Sequence, residues 1–384
     1  MKYNGNNVLN RIVETVAKLV SFKTTPSNFP EFEKAVQFIE EYFKGTSVKV
    51  KKMYFNKFPA LYISTSGNKK AKIMLQGHVD VVDGNESQFT PVIKNGKMYG
   101  RGTVDMKGFD AVAMELLKEF AGHKSNCDLA LALTFDEEIG SENGAKKLAE
   151  LGYSADLIIN GDAGYNYSVI YGEKGILKIN LKVKANPGRH PYTWEGKNAF
   201  ELLNEDYNSI ISLFKDKEVA TEDDNWYTTY SIYDVKVENK EQYPPHYAEA
   251  KMNFYFTENL TVNELLELIE SKVKYCNVEM FIGSERVFMD PESRQIQLLH
   301  EIMSNHFARE IAIRTENGSS DARFYANDNI PIVILRPVGE DHHGDNENIE
   351  VDALLPLYNT LKEYILVNSE SSVKVNSSEA ISAK

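Results

Sequence analysis

Cysteine is nearly missing from this 384-residue chain, which holds only Cys127 and Cys276. Two thiols cannot build a disulfide framework or a cysteine-based zinc site, so a reducing, cytoplasmic setting is expected. Long hydrophobic runs are missing too. No stretch approaches the roughly 20 apolar residues of a membrane-spanning helix, so no membrane association is expected. After Lys2, the opening segment Met1–Asn7 offers no apolar core for a secretory leader. Positive charge is in short supply, with 43 Lys and Arg against 56 Asp and Glu and a net charge of −13. A surface of that sign repels phosphate backbones, which disfavours nucleic acid as a partner. What is present is ordinary for a folded protein: 42% hydrophobic and 26% charged residues, at a length that makes two domains the first expectation.

Hydrophobic spacing organises the chain. Helical patterns cover 7–21 and 30–44, short strand patterns Lys49–Tyr54, Ala60–Ser64 and Ala71–Gln76, and a helix follows at Met106–Phe120. Leu129–Phe135 and Asp156–Asn160 read as buried strands around a helix at Asn143–Leu151. Strands alternating with helices predict an α/β domain with a mixed, mainly parallel sheet. Beyond Gly172 the style changes, as Ile176–Lys184 alternates apolar residues with Lys and Asn, the pattern of a half-exposed antiparallel strand. Helices at Ala199–Phe214 and Val262–Val273 with further strands complete an α+β insert. The first style resumes after Pro291, through helix Gln295–Phe307 and strands Glu310–Arg314 and Ile330–Leu335 to helix Val351–Leu366. The expected organisation is a discontinuous first domain, 1–174 and 291–367, around an inserted domain, 175–290. A disordered tail is expected at 368–384, which is rich in Ser and Lys.

Five polar segments fall where predicted strands end, the place where open α/β sheets bind ligands. Gly77-His78-Val79-Asp80 puts His78 and Asp80 on one side of extended backbone, so Asp80 can orient a ligating imidazole. Asp105, in Gly100-Arg101-Gly102-Thr103-Val104-Asp105-Met106-Lys107-Gly108, stands where a helix N-cap would be. Asp136-Glu137-Glu138 is a run of like charge, tolerated in solvent or beside a cation. Asn160-Gly161-Asp162 is a turn or an oxygen ligand, and Asp341-His342-His343-Gly344 is a surface loop or a ligating pair. Each segment alone has a plain structural reading: a core histidine, a cap, a solvated run, a turn, a loop. Together, two histidines with Asp105, Glu138 and Asp162 suit a two-metal site with one bridging carboxylate, and Glu137 is left over as a general base. Mixed nitrogen and oxygen ligands favour two Zn2+ per chain, with Co2+ or Mn2+ also fitting.

The ordered set Gly-His-Val-Asp, Gly-Arg-Gly-Thr-Val-Asp-Met-Lys-Gly, Asp-Glu-Glu-Ile-Gly, Gly-Asp-Ala-Gly, Gly-Ser-Ser-Asp-Ala-Arg-Phe and His-Gly-Asp-Asn-Glu resembles the co-catalytic zinc exopeptidase and deacylase family. That family includes acetylornithine deacetylase, succinyl-diaminopimelate desuccinylase, aminoacylase-1 and carboxypeptidase G-type enzymes, and the resemblance spans roughly residues 7–367. It implies that His78 and Asp162 hold one zinc, that Glu138 and His343 hold the other, that Asp105 bridges them, and that Glu137 is the base. His343 rather than His342 is implied by the family's His-x-x-x-Glu spacing, which ends on Glu347. Asp80 matches the aspartate that orients the first histidine. The loop with Ser320 and Arg323 resembles one that lines the substrate pocket, as does Asn198 on the insert. The insert resembles a lid that mediates a homodimer.

Two departures bear on the substrate. The lid histidine expected nine residues before Asn198-Ala199 is replaced by Arg189, with His190 next to it; either can stabilise an oxyanion. The usual Asp-x-Arg on a lid strand reads Asn253-Phe254-Tyr255, so a substrate carboxylate is expected to meet Arg323 or Arg189 instead. The resulting expectation is a metal-dependent hydrolase of an amide in a small N-acyl-amino acid or short peptide. The rival expectation is an inactive binding protein on the same fold.

Overall fold

The structure, a computed structural model, describes residues 7–122, 127–162, 164–214 and 225–379, with side chains described through Ser369. The chain divides into two compact units, one of residues 1–171, 289–314 and 320–384, the other of 172–288 and 315–319.

In the first unit, the central strands are Leu129–Thr134, Lys70–His78, Ser154–Asn160 and Ile332–Ile334, side by side and all parallel. Antiparallel neighbours flank them, with Phe58–Ser64 and then Lys49–Phe55 on one side and Ser168–Glu173 on the other. Every residue of Leu129–Thr134 is buried, as befits a strand covered on both faces. The helix Gly108–Gly122 is apolar nearly all round and buried from Gly108 to Leu117. It lies against Val8–Val20 and the closing helix. Val8–Val20 begins at Asn7, whose side chain accepts from the Leu9 amide, and buries the stripe Ile12, Val13, Val16, Leu19 and Val20. A small sheet of Val92–Lys94, Lys97–Tyr99, Asn348–Glu350 and Gly339–Glu340 joins the loops around residues 100 and 343. Its strands are two or three residues long, too short for periodicity to reveal.

The second unit is a four-stranded antiparallel sheet, in the order Thr229–Glu238, Tyr247–Phe256, Gly175–Lys184, Asn277–Ser284. Alternate residues Leu177, Ile179, Leu181 and Val183 pack with Ala248, Ala250, Met252, Phe254 and Phe256. The helices Ala199–Ile211 and Val262–Glu270 close that face. Thr261 and Glu264 cap the second helix reciprocally.

Three expectations change. The helix predicted from Met106 begins at Gly108, and Asp105 is not its cap: the Asp105 backbone is extended (φ −125°, ψ 91°) and the Asp105–Met106 peptide is cis. Thr315–Ser319, placed by the sequence with the first domain, belongs to the second unit. The strand Ala312–Glu316 that leads into it pairs with Ser168–Glu173, whose own end runs into that unit. The helix Leu354–Glu379 continues past Asn368, where the tail was expected to start. A packed helix propagates at little cost until a breaker stops it, and 368–379 contains neither Gly nor Pro. The remaining tail residues, 380–384, lie outside the described residues. Among the described residues, no helix is long and apolar enough to cross a membrane.

Candidate metal centre

Parallel strands deliver their carboxyl ends to one edge. His78 is the last residue of its strand and sits in register with Thr134; Gln76 sits in register with Asn160. The chain segments leaving these strands carry Asp80, Glu137 and Glu138, and Asp162. The fourth parallel strand, Ile332–Ile334, leads to the loop with His342 and His343. One sheet edge thus collects donors from segments up to 265 residues apart.

Asp105 lies between the two imidazoles. Its Oδ1 is 3.2 Å from His78 Nε2 and its Oδ2 is 2.9 Å from His343 Nε2. His78 Nε2 also lies 3.4 Å from Asp162 Oδ1, and His343 Nε2 lies 3.3 Å from Glu138 Oε1. On its other side, His78 Nδ1 meets the Asp80 carbonyl oxygen at 3.0 Å and Asp80 Oδ1 at 3.5 Å, which aims Nε2 inward. Asp80 Oδ2 accepts the Glu138 amide at 3.0 Å, so one buried aspartate positions both His78 and the Glu138 turn. His342 Nε2 stands 3.5 Å from Asp105 Oδ2, its ring centroid 4.1 Å from that of His343 and tilted by 33°.

Glu137 sits on the same turn, half-buried, with Arg323 Nη1 at 3.7 Å from its carboxylate. The other nitrogen of that guanidinium, Nη2, donates to the Gly140 carbonyl and to Ser141 Oγ, so Arg323 anchors the turn that bears the candidate base. Ser320 is buried and caps the turn Asp321–Asp328 through the Ala322 amide. Asp162 is set by the Asn160 side chain, which accepts its amide at 2.8 Å and donates to Gln76. Gly161 beside it has no room for a side chain: a Cβ there would meet the Phe109 ring at 2.0 Å.

The electrostatics follow from packing carboxylates together. Burial, then Asp162, holds the Glu137 carboxyl well above the ordinary glutamate range. Burial likewise pushes Asp162 up to about 7. Burial opposes ionisation of Asp105, yet hydrogen bonds from His343 and His78 outweigh it and keep its carboxyl below the usual range. Hydrogen bonds to Asp105 and Glu138 raise His343 to about 10. The protein alone thus answers this negative charge with protons on imidazole. Divalent cations would answer it with more charge at the same donors. Among the described residues, three groups have donor atoms within 4.8 Å of one another: His78, Asp105, Glu138; His78, Glu137, Asp162; and Asp105, His342, His343. Mixed nitrogen and carboxylate donors fit zinc-like ions.

The second unit holds the remaining sequence candidates. Arg189 pairs with Glu195 at 3.0 Å and covers the Tyr192 ring, while His190 beside it is exposed. Asn198 caps the helix Ala199–Ile211, accepting the Phe200 amide. Tyr255 lies on the central strand Tyr247–Phe256, in register with Thr229 and Ile176. Sequence reasoning assigned no role to Arg101, and gave Glu347 only as the end of the family's spacing. Both are buried beside the Asp105 loop, and the second glycine of Gly-Arg-Gly, Gly102 (φ +83°), was the signal that this loop is specially shaped.

Comparison with known proteins agrees with the fold. The profile of Peptidase family M20/M25/M40 matches residues 74–367. The chain is 25% identical over 381 residues to a succinyl-diaminopimelate desuccinylase of Rickettsia akari, covering 91% of this chain and 97% of that one. It is 27% identical over 317 residues to the desuccinylase of Coxiella burnetii, covering 76% and 83%. Among solved structures, an M20 family metallo-carboxypeptidase from Sulfolobus solfataricus superposes with a TM-score of 0.74 at 17% identity, over 93% of this chain and 99% of that one. Aminopeptidase PepT from Bacillus cereus gives 0.74 at 16% identity, over 94% and 99%. With the family profile spanning most of its length, this chain belongs to Peptidase family M20/M25/M40 and is a metal-dependent amidohydrolase or peptidase.

Proposed function

We propose that the chain hydrolyses one amide bond in a small N-acyl-amino acid or short peptide, with two divalent cations and Glu137 as the general base. The observation that carries this is Asp105, a single carboxylate whose two oxygens face His78 at 3.2 Å and His343 at 2.9 Å. It suits a carboxylate shared by two cations, with His78 and Asp162 on one side and Glu138 and His343 on the other. Cations bound there, zinc by preference, would polarise the scissile carbonyl and lower the pKa of the attacking water towards roughly 7. The chain's own part is proton traffic. Glu137 takes a proton from the water as its oxygen bonds to the carbonyl carbon. It returns that proton to the amide nitrogen as the carbon–nitrogen bond breaks, which leaves a carboxylic acid and an amine. Arg323 keeps the Glu137 turn in place. His190 is this reading's oxyanion partner, since Glu195 already engages Arg189.

Glu137→Gln tests the base. It should lower kcat by about 10²–10⁴-fold while elemental analysis still finds both metals; near-normal turnover would remove Glu137 from the role. The substrate panel should span N-succinyl and N-acetyl amino acids, N-succinyl-diaminopimelate, dipeptides and tripeptides. Stoichiometric metal with no hydrolysis across the panel would support the binding-protein alternative. A homodimer through the second unit belongs to the same reading. Its support is the edge strand Thr229–Glu238, which exposes Ile232, Tyr233, Val235 and Val237. Sedimentation should find the dimer, and a monomer at all concentrations would exclude any residue acting across subunits.

A further inference from the structure

The Asp105 loop has no regular secondary structure to hold its shape, yet it carries the carboxylate on which the centre turns. What holds it is a buried ion pair between residues 246 positions apart. Glu347 and Arg101 are 1% and 3% exposed. Glu347 Oε2 accepts from Arg101 Nη1 and from the Gly102 amide, both at 2.8 Å. Its Oε1 accepts from the Val104 amide at 3.0 Å and from the Asp105 amide at 3.2 Å. Arg101 Nη2 turns the other way and donates to the His343 carbonyl at 3.1 Å and to the Asp83 carbonyl at 3.3 Å. A single carboxylate–guanidinium pair therefore ties the backbone of Asp105 to the backbone of His343. All but one of its bonds, the one between the two side chains, engage main chain directly, and charge-assisted bonds of this kind are the strong ones.

We propose that Arg101 and Glu347 are a positioning pair that sets the spacing of Asp105 and His343, and through it the affinity for divalent cations. This rests on the metal-centre reading above. Neither residue touches a cation or substrate; the pair acts through the two loops. Its planar fork needs Arg at 101, because a lysine reaches Glu347 or the His343 carbonyl but not both.

The test compares wild type, Glu347→Gln and Arg101→Lys, each stripped with chelator and titrated with Co2+. Affinity is read by competition with a chelating dye, geometry by the visible absorption of bound Co2+, and fold by thermal unfolding of the stripped protein. The expected result is a roughly 10- to 100-fold loss of affinity with a shifted Co2+ spectrum in both variants, of the size that supporting residues around metal ligands usually give. Arg101→Lys, the milder change, should still unfold cooperatively. If Arg101→Lys lowers the melting temperature but keeps wild-type affinity and spectrum, the pair is merely structural and the proposal is overturned. A wild-type chain that takes up no Co2+ would overturn the metal-centre reading itself, a different outcome.

Discussion

At residue scale, the site is a set of carboxylates that would repel one another without His78 and His343 between them. His343 makes the closer contacts, 2.9 Å to Asp105 and 3.3 Å to Glu138, whereas His342 reaches only Asp105, at 3.5 Å. His343→Ala should therefore lose about one metal equivalent and cut activity by roughly 10²-fold or more, as loss of a direct ligand exceeds the 10- to 100-fold typical of supporting residues. His342→Ala should keep both equivalents. Elemental analysis of the two variants after identical dialysis checks this, and the reverse ranking would move the ligand to His342. The family's spacing pointed to His343; in the fold the backbone turns there with φ +61°, and the ring faces Asp105 and Glu138. Arg323 shows the converse. Its motif suggested a pocket-lining role, and only the fold showed it anchoring Gly140 and Ser141 on the turn that bears Glu137.

At the scale of elements, alternation and helical spacing were enough to reveal nearly every long strand and helix, because each buries a face of its own. The short strands Val92–Lys94, Lys97–Tyr99 and Asn348–Glu350 were illegible, since three residues carry no period. Loop anchors were equally silent. Asp206, buried on the helix Ala199–Ile211, accepts the amides of Lys274, Tyr275 and Cys276 at 2.9, 2.8 and 2.7 Å, and so anchors the connection between the helix Val262–Glu270 and the strand Asn277–Ser284. Asp206→Ala would leave three partly buried N–H groups unpaired. Chemical denaturation should show a loss of about 3 kcal/mol, at roughly 1 kcal/mol or more per stranded donor. Gly161→Ala forces a methyl into the Phe109 ring and should cost about 1–3 kcal/mol. Because Asp162 follows directly, metal affinity measured on the same variant should fall as well.

For the whole molecule, the net charge of −13 concentrates part of its repulsion at one sheet edge, where Asp80, Asp105, Glu137, Glu138 and Asp162 converge. Stripping cations should therefore lower the melting temperature. Restoring Zn2+ to about 1,000 times its dissociation constant should return about 4 kcal/mol per site, because ligand binds the folded state alone. Differential scanning calorimetry with and without chelator checks it, and an unchanged transition would argue against metal at this edge.

The sequence by itself determined the α/β style and the family, and put forward an inserted domain and a set of candidate donors, because each is written in local pattern or short motifs. Tertiary structure alone decided how the donors meet. Only folding brings residue 105 against 343 and 347, and a buried ion pair linking positions 246 apart leaves no periodic trace in the chain. It also decided that Asp105 is not a helix cap but stands between two imidazoles, since backbone direction there is set by contacts with the distant Glu347 rather than by its neighbours.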